Sequence, residues 1–262
     1  MPPESGQPHP PGRAGPADAP GPDAGRVGEI VARLTDPTQA GDRRERSRAM
    51  RALTGSLATS ARGAGRASVL GGRWLTDLLI ETAPRIPLRD FLTLRAQHPG
   101  LTDEELADAL IAAAAKGTGT VGAAGGALAS VQFAAPPTLL SAPVQIAAET
   151  LLVAVIEMKL IAELHEVYGA GVAGTPRERA TAYLVAWTNR RGLDPLDPAG
   201  MQLALGGAAK RALRRRLVRR AGRNLSTLGP LMSGAVAGSV VNHRETRRLG
   251  EEVRADLRRD RG

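Results

Sequence analysis

From residue 26 onward the apolar positions recur at helical spacing, and no stretch shows the sustained alternation of a half-buried strand. Ile30, Val31 and Leu34 mark a short helical pattern, and the Arg-rich stretch from Arg43 to Arg51 reads as a solvated helix face. Residues 68–83 (SVLGGRWLTDLLIETA) form an amphipathic helical pattern closed by Pro84 and Pro87. In PGLTDEELADALIAAAAKG, Thr102 and Glu105 have the spacing of a capping box, with Asp103 and Glu104 at the positive end of the helix dipole. A second box, Thr175-Pro176 with Glu178, opens a helix that runs through Trp187 and ends near Gly192. After the Asp194-Pro195 and Asp197-Pro198 turns, residues 199–223 and 244–260 again carry helical spacing. The predicted fold is all-α, a helical bundle containing a Gly/Ala-rich helical hairpin.

The hairpin follows from a run of 32 residues without formal charge, 117–148. Its length would allow a membrane span, which needs about 20 apolar residues. Pro136-Pro137 divides it, however, and Gly and Ala carry little transfer free energy. A pair of closely packed helices, re-entrant in a membrane or buried in a bundle, suits the composition better than two spans. Small residues let helix backbones approach, which makes Gly122, Gly125 and Gly126 packing candidates. A second uncharged stretch, 224–242, places Gly234 and Gly238 at the same small-xxx-small spacing.

The helical pattern continues as ETLLVAVIEMKLIAELHEVYG. Gln145, Glu149, Lys159, Glu163 and Glu166 project onto one arc of about 100°, a polar seam on an otherwise aliphatic surface, with Glu157 standing apart. Carboxylates on such a helix are expensive against lipid, so the seam should face protein, water or a partner. Lys159 and Glu163 have the spacing of a one-turn ion pair.

Composition changes the picture in three places. Apolar residues make up 42% of the 262, but only six are aromatic, so the core must be aliphatic. Cysteine is absent, which excludes a disulfide framework, a thiolate metal site and a cysteine nucleophile. Residues 1–25 hold eight of the 19 prolines and almost nothing apolar, the composition of a disordered tail with no secretory signal pattern. The expected organisation is thus a tail (1–25), a helical N-terminal region (26–98) and a helical domain (99–262).

The formal charge of +9 is concentrated at one end, with residues 1–209 summing to −1 and 210–262 to +10. Arg211, Arg214, Arg215, Arg216, Arg219, Arg220 and Arg223 cluster before the second uncharged stretch, and Arg247 and Arg248 follow it. Arginine flanking glycine-spaced apolar sequence suits anionic headgroups, each contact worth roughly 1 kcal/mol near such a surface. Any polyanion would also be bound, but the basic end has no aromatics to stack bases, which argues against nucleic acid as the partner.

The uncharged glycine-rich segment, the Pro-containing turn, the helix ending Glu166-Val167-Tyr168-Gly169 and the terminal GAVAGSVVNHRETRRLG together resemble the EcsC family of bacterial proteins. The resemblance covers roughly residues 100–255, with Asn242, Thr246 and Arg247 as its more specific part. It implies a helical architecture and membrane association, and it carries over no catalytic residue.

No catalytic pattern survives inspection. Gly117, Gly119 and Gly122 spell a dinucleotide-binding glycine pattern, but a helix rather than a strand is predicted before them. His98 and Asp103 have an H-x4-D spacing seen in some acyltransferases, yet Asp103 is explained by its place in a first helical turn. His165-Glu166 lacks the second histidine of a zinc helix. The expectation is a cofactor-free accessory or interaction protein at the cytoplasmic face of a bacterial membrane, contacting anionic lipid and a membrane-protein partner. The competing expectations are an enzyme acting on lipid or envelope substrates, and a soluble basic helical protein that binds nucleic acid.

Overall fold

The computed structural model describes residues 22–35, 43–64, 73–132, 141–190 and 230–261. These residues form eight α-helices, numbered here in chain order. They are α1 (Pro22–Thr35), α2 (Arg43–Ala64), α3 (Arg73–Thr82), α4 (Phe91–Gln97), α5 (Asp103–Gln132), α6 (Ser141–Val167), α7 (Pro176–Arg190) and α8 (Pro230–Arg261). A 3-10 turn, Ala83–Arg85, follows α3. The fold is all-α, and no strand occurs among the described residues.

Local chemistry accounts for the helix ends. At the start of α5 the Glu105 carboxylate accepts from the Thr102 backbone N–H and hydroxyl (2.8 Å each), while the Glu105 N–H donates to Thr102 Oγ1 (3.3 Å). Thr175 and Glu178 repeat this at α7. A third cap was not foreseen: Asp90 accepts from Thr93 N–H at 2.8 Å and starts α4. The Tyr168-Gly169 end of α6 is a Schellman motif. Gly169 takes φ +68°, its N–H donates to Glu166 O, and Ala170 N–H donates to His165 O at 2.8 Å.

α6 is the axis of the bundle and contacts each of the other seven helices. Such a helix must be apolar nearly all round, and Leu151, Leu152, Val155, Met158, Ile161 and Leu164 are all buried. One cluster of buried side chains runs from Val27 in α1 to Leu257 in α8, so the regions 26–98 and 99–262 share a core. The solvated face of α2 is where the charge pattern puts it, with Arg44, Arg48 and Arg51 exposed.

Two boundaries differ from the sequence reading. α1 starts at Pro22, inside the stretch read as a tail, because its buried Val27 and Val31 anchor the turns around them. α3 ends at Thr82 with Pro84 in the 3-10 turn that follows, as the pattern predicts, and residues 68–72 of that pattern lie outside the described residues. The uncharged 224–242 stretch and the basic 244–260 stretch meet in one helix, α8, which is continuous from Pro230 to Arg261. A change from glycine-rich to charged composition does not interrupt a helix whose inward face stays packed. Residues 1–21, the Pro136-Pro137 turn, the 199–223 pattern and its arginines (Arg211, Arg214, Arg215, Arg216, Arg219, Arg220, Arg223) lie outside the described residues.

Candidate functional site

α5 and α8 run antiparallel, and six cross-contacts fix their register. From one end to the other these are Gly122–Gly238, Thr118–Asn242, Ile111–Gly250, Asp108–Arg254, Glu104–Arg258 and Asp103–Arg261. The contacts cover nearly 20 residues of α5, about 28 Å of helix.

At the glycine end the two backbones touch. A Cβ on Gly122 would lie 2.5 Å from Gly238 O, and one on Gly238 would lie 2.7 Å from Gly122 O. Gly122 and Gly238 are thus packed against each other, while Gly125, Gly126 and Gly234 lie further along the same helices with surroundings outside the described structure. One turn along, Thr118 Oγ1 donates to Asn242 O (3.3 Å), and Asn242 Nδ2 donates to Thr118 O (3.4 Å) and Glu149 Oε1 (3.3 Å). Gly250 repeats the close approach, where an added Cβ would lie 2.8 Å from Ile111 Cγ1. The four-residue spacing of Gly238, Asn242, Thr246 and Gly250 is the sequence signal for this stripe, and it is visible only once 224–260 is read as one helix.

At the opposite end the contacts are ionic. Arg258 pairs with Glu104, which also accepts from the Tyr168 hydroxyl at 2.9 Å. Arg254 pairs with Asp108. Arg261 reaches Asp103 at 3.6 Å, donates to Tyr168 O at 2.7 Å, and lies over the Tyr168 ring. Acids thereby sit at the N-terminus of α5 and guanidinium groups at the C-terminus of α8, the favourable sign for both helix dipoles. The Arg258 hydrogen bond holds the Glu104 carboxyl below its ordinary value, and Arg258 is itself raised by Glu104. Burial, then the hydrogen bond to Glu104, raises the Tyr168 phenol.

The predicted polar seam on α6 is divided among neighbours. Glu163 accepts two 2.7 Å bonds from Arg89, and Lys159 lies 3.7 Å from Glu163 and donates to Pro87 O at 3.1 Å. Glu166 pairs with Arg179 at 2.7 Å, Glu149 meets Asn242, and Gln145 is buried. These side chains turn toward protein, each against a different part of the bundle. Glu157, apart from the seam in projection, is the most enclosed carboxylate of α6. It is fully buried, with Trp187 Nε1 on one oxygen and Thr246 Oγ1 on the other, both at 2.9 Å. Its isolation among Leu, Val, Ile and Met in the projection was the signal, because that is the face that packs.

The remaining candidates are structural. Gly117, Gly119 and Gly122 lie inside α5, with no strand before them. Asp103 is held by Arg95 (2.7 Å) and Arg261, and His98 is the C-cap of α4. His165 Nδ1 bonds to Ile161 O at 2.7 Å with its ring edge-on to Tyr183, and burial lowers its pKa. An open cleft of about 560 Å3 at the ionic end includes Asp90, Asp103, Glu166, Arg179 and Arg261, whose charges are engaged in the caps and ion pairs above. No group of three or more His, Asp or Glu side chains among the described residues could hold a metal ion.

The arrangement that stands out is the glycine end as a whole. The C-terminal part of α5 (117–132), the N-terminal part of α6 (141–148) and the N-terminal part of α8 (230–242) converge there, all without formal charge. The register sets Lys116 level with Arg244, immediately where charge resumes. Lys116, Arg244 and Arg247 are exposed and form no ion pair among the described residues, and Arg248 is exposed and pairs with Glu252 at 2.8 Å. Val240 and Val241, on the uncharged side of this collar, are 41% and 40% exposed. No described helix is long and apolar enough to cross a membrane. Comparison with protein-family models, with curated proteins and with solved structures finds no match to this chain.

Proposed function

We propose that the chain is a non-enzymatic, membrane-associated accessory or interaction protein that binds anionic lipid at the inner face of a bacterial membrane. One observation carries the reading: three uncharged helix ends meet at one end of the bundle, bordered by the exposed cations Lys116, Arg244 and Arg247 with a single exposed acid, Glu245, among them. Exposed valines beside basic groups that form no ion pair among the described residues match the two layers of a lipid surface, with apolar contact below and headgroup phosphate above. The arginines at 211–223 add to the same charge. The resemblance to the EcsC family points the same way. The ion pairs of Arg254, Arg258 and Arg261 reserve those three residues for holding α8, so lipid contact is assigned to Arg247, Arg248 and the collar.

Flotation with phosphatidylglycerol-containing and purely zwitterionic vesicles, at low and high salt and with duplex DNA as competitor, tests this reading. The chain is expected to float with anionic vesicles and to keep part of that binding at high salt. Remaining at the bottom of the gradient with both vesicle types would overturn the reading. Binding that DNA abolishes and that disappears with salt would replace it with a polyanion-binding protein.

A further inference from the structure

We infer that the outer face of α2 is a second contact for anionic lipid, an arginine ridge that lies against headgroup phosphates apart from the C-terminal cations. This rests on the membrane reading above and adds a surface which that reading does not use. At 100° per residue, Arg44, Arg48, Arg51, Gly55, Thr59 and Arg62 fall within an arc of about 80°, and all six are exposed. Leu53, Leu57 and Ala61 lie on the inner side and are buried. Four guanidinium groups are thus carried along about 27 Å of helix. The one acid of α2, Glu45, projects outside the arc. Residues 26–66 hold nine arginines and four acids, a net of +5 that the near-neutral sum over 1–209 conceals. Of these, Asp36 and Asp42 before the helix and Arg66 after it lie outside the described residues.

A solvated helix face ordinarily pairs its charges, and α8 does so. Arg248 pairs with Glu252, Arg254 with Glu251 and Arg259 with Asp256, each about one turn away. On α2, Arg44 and Arg48 stand four residues apart and Arg48 and Arg51 three, like charges that repel at that spacing. None of these three arginines forms an ion pair among the described residues. Arg62 donates to Ala58 O (3.2 Å) and Thr59 Oγ1 (3.3 Å), both neutral groups. An anionic surface supplies the counter-charge that the helix itself lacks. A bilayer suits the ridge better than a duplex does. A plane meets a row of side chains along its whole length. About 17 Å of helix separates Arg51 from Arg62, more than the roughly 12 Å width of a major groove. The face also holds no aromatic side chain to stack on bases. Gly55 and Thr59 offer nothing to insert, so this contact is electrostatic and screened by salt.

The test combines Arg44→Gln, Arg48→Gln and Arg51→Gln in the full chain and measures partitioning onto phosphatidylglycerol/phosphatidylcholine vesicles at low salt. Each basic group near an anionic surface is worth about fivefold in partitioning, so the triple variant is expected to bind on the order of a hundredfold more weakly. Its urea midpoint should be no lower than the parent's, since the three side chains are exposed. The chain has no cysteine, so a dye at Thr59→Cys reports on the ridge without altering its charge. Nitroxide on the lipid headgroups should quench that dye. If the triple variant proves less stable, the dye alone decides. Vesicle binding by a stable triple variant equal to the parent's, or a bound chain whose dye at 59 is not quenched, would overturn the ridge and leave the membrane reading intact. Loss of duplex-DNA binding in the triple variant with vesicle binding unchanged would assign the ridge to nucleic acid instead. A parent chain that ignores anionic vesicles would remove the membrane reading together with this inference.

Discussion

At Gly122 the α5 and α8 backbones are in contact, so position is set by what is missing from both chains. At Glu104 the same two helices are joined by Arg258, Arg254 and Arg261, long side chains that bridge to carboxylates through partly exposed pairs. The Gly122–Gly238 contact tolerates no added atom and involves no charged group. The ionic end tolerates change of shape but depends on charge, because exposed ion pairs are screened and contribute little each. One helix pair thus carries an apolar end set by backbone contact and a polar end held by charge.

The strongest way to break this contrast is Gly122→Ala. Alanine gains helix propensity, but its Cβ would meet Gly238 O and C at 2.5 and 2.7 Å, and backbone cannot turn aside. The overpacking should cost about 1–3 kcal/mol in urea unfolding. An unchanged midpoint would show that the seam is looser than the geometry states.

The ionic end is probed by pH. Glu104, chiefly through Arg258, and Asp256, chiefly through Arg190, have folded pKa values lowered from 4.5 and 3.8. Lowered carboxylate values stabilise the fold above the unfolded value, and that contribution is lost as pH falls through the folded one. The unfolding midpoint should therefore fall as pH drops below 4.5. In Arg258→Ala the decline should be shallower, while Gly122→Ala should decline in parallel with the parent. His165, lowered by burial, destabilises from nearer 6.5 in all three proteins and cancels in the differences. Parallel curves for the parent and Arg258→Ala would remove Glu104 from the account.

Gly55→Ala is the smallest change and sharpens the first. Gly55 is exposed within α2, with nothing within 4 Å of an added Cβ. Here alanine should stabilise by about 0.4–1 kcal/mol. The same substitution then has opposite signs in two helices, which isolates the Gly122–Gly238 contact from propensity.

Much of the local architecture was legible in the residues. Thr102/Glu105 and Thr175/Glu178 form the boxes their spacing predicts, since a cap involves only groups within one turn. The exposed arginines of α2 were legible for the same reason. Asp90 as a cap was missed because α4 is only seven residues and offers little periodicity. The break placed between 242 and 244 was wrong because composition changed there while the packing stripe did not.

What the residue order determined by itself is the helical class, the caps, the charge-free segments and the concentration of basic charge near the C-terminus. These rest on backbone hydrogen bonds and side-chain preferences within a few residues of each other. The tertiary structure decided which groups meet. Arg89 reaches Glu163 across 74 residues, and Thr246 reaches Glu157 across 89. Gly122 meets Gly238 only because α5 and α8 share a register. Such pairings depend on the packing of α6 against all seven neighbours, and no local pattern encodes them. The same packing gathers three separate uncharged segments at one end of the bundle.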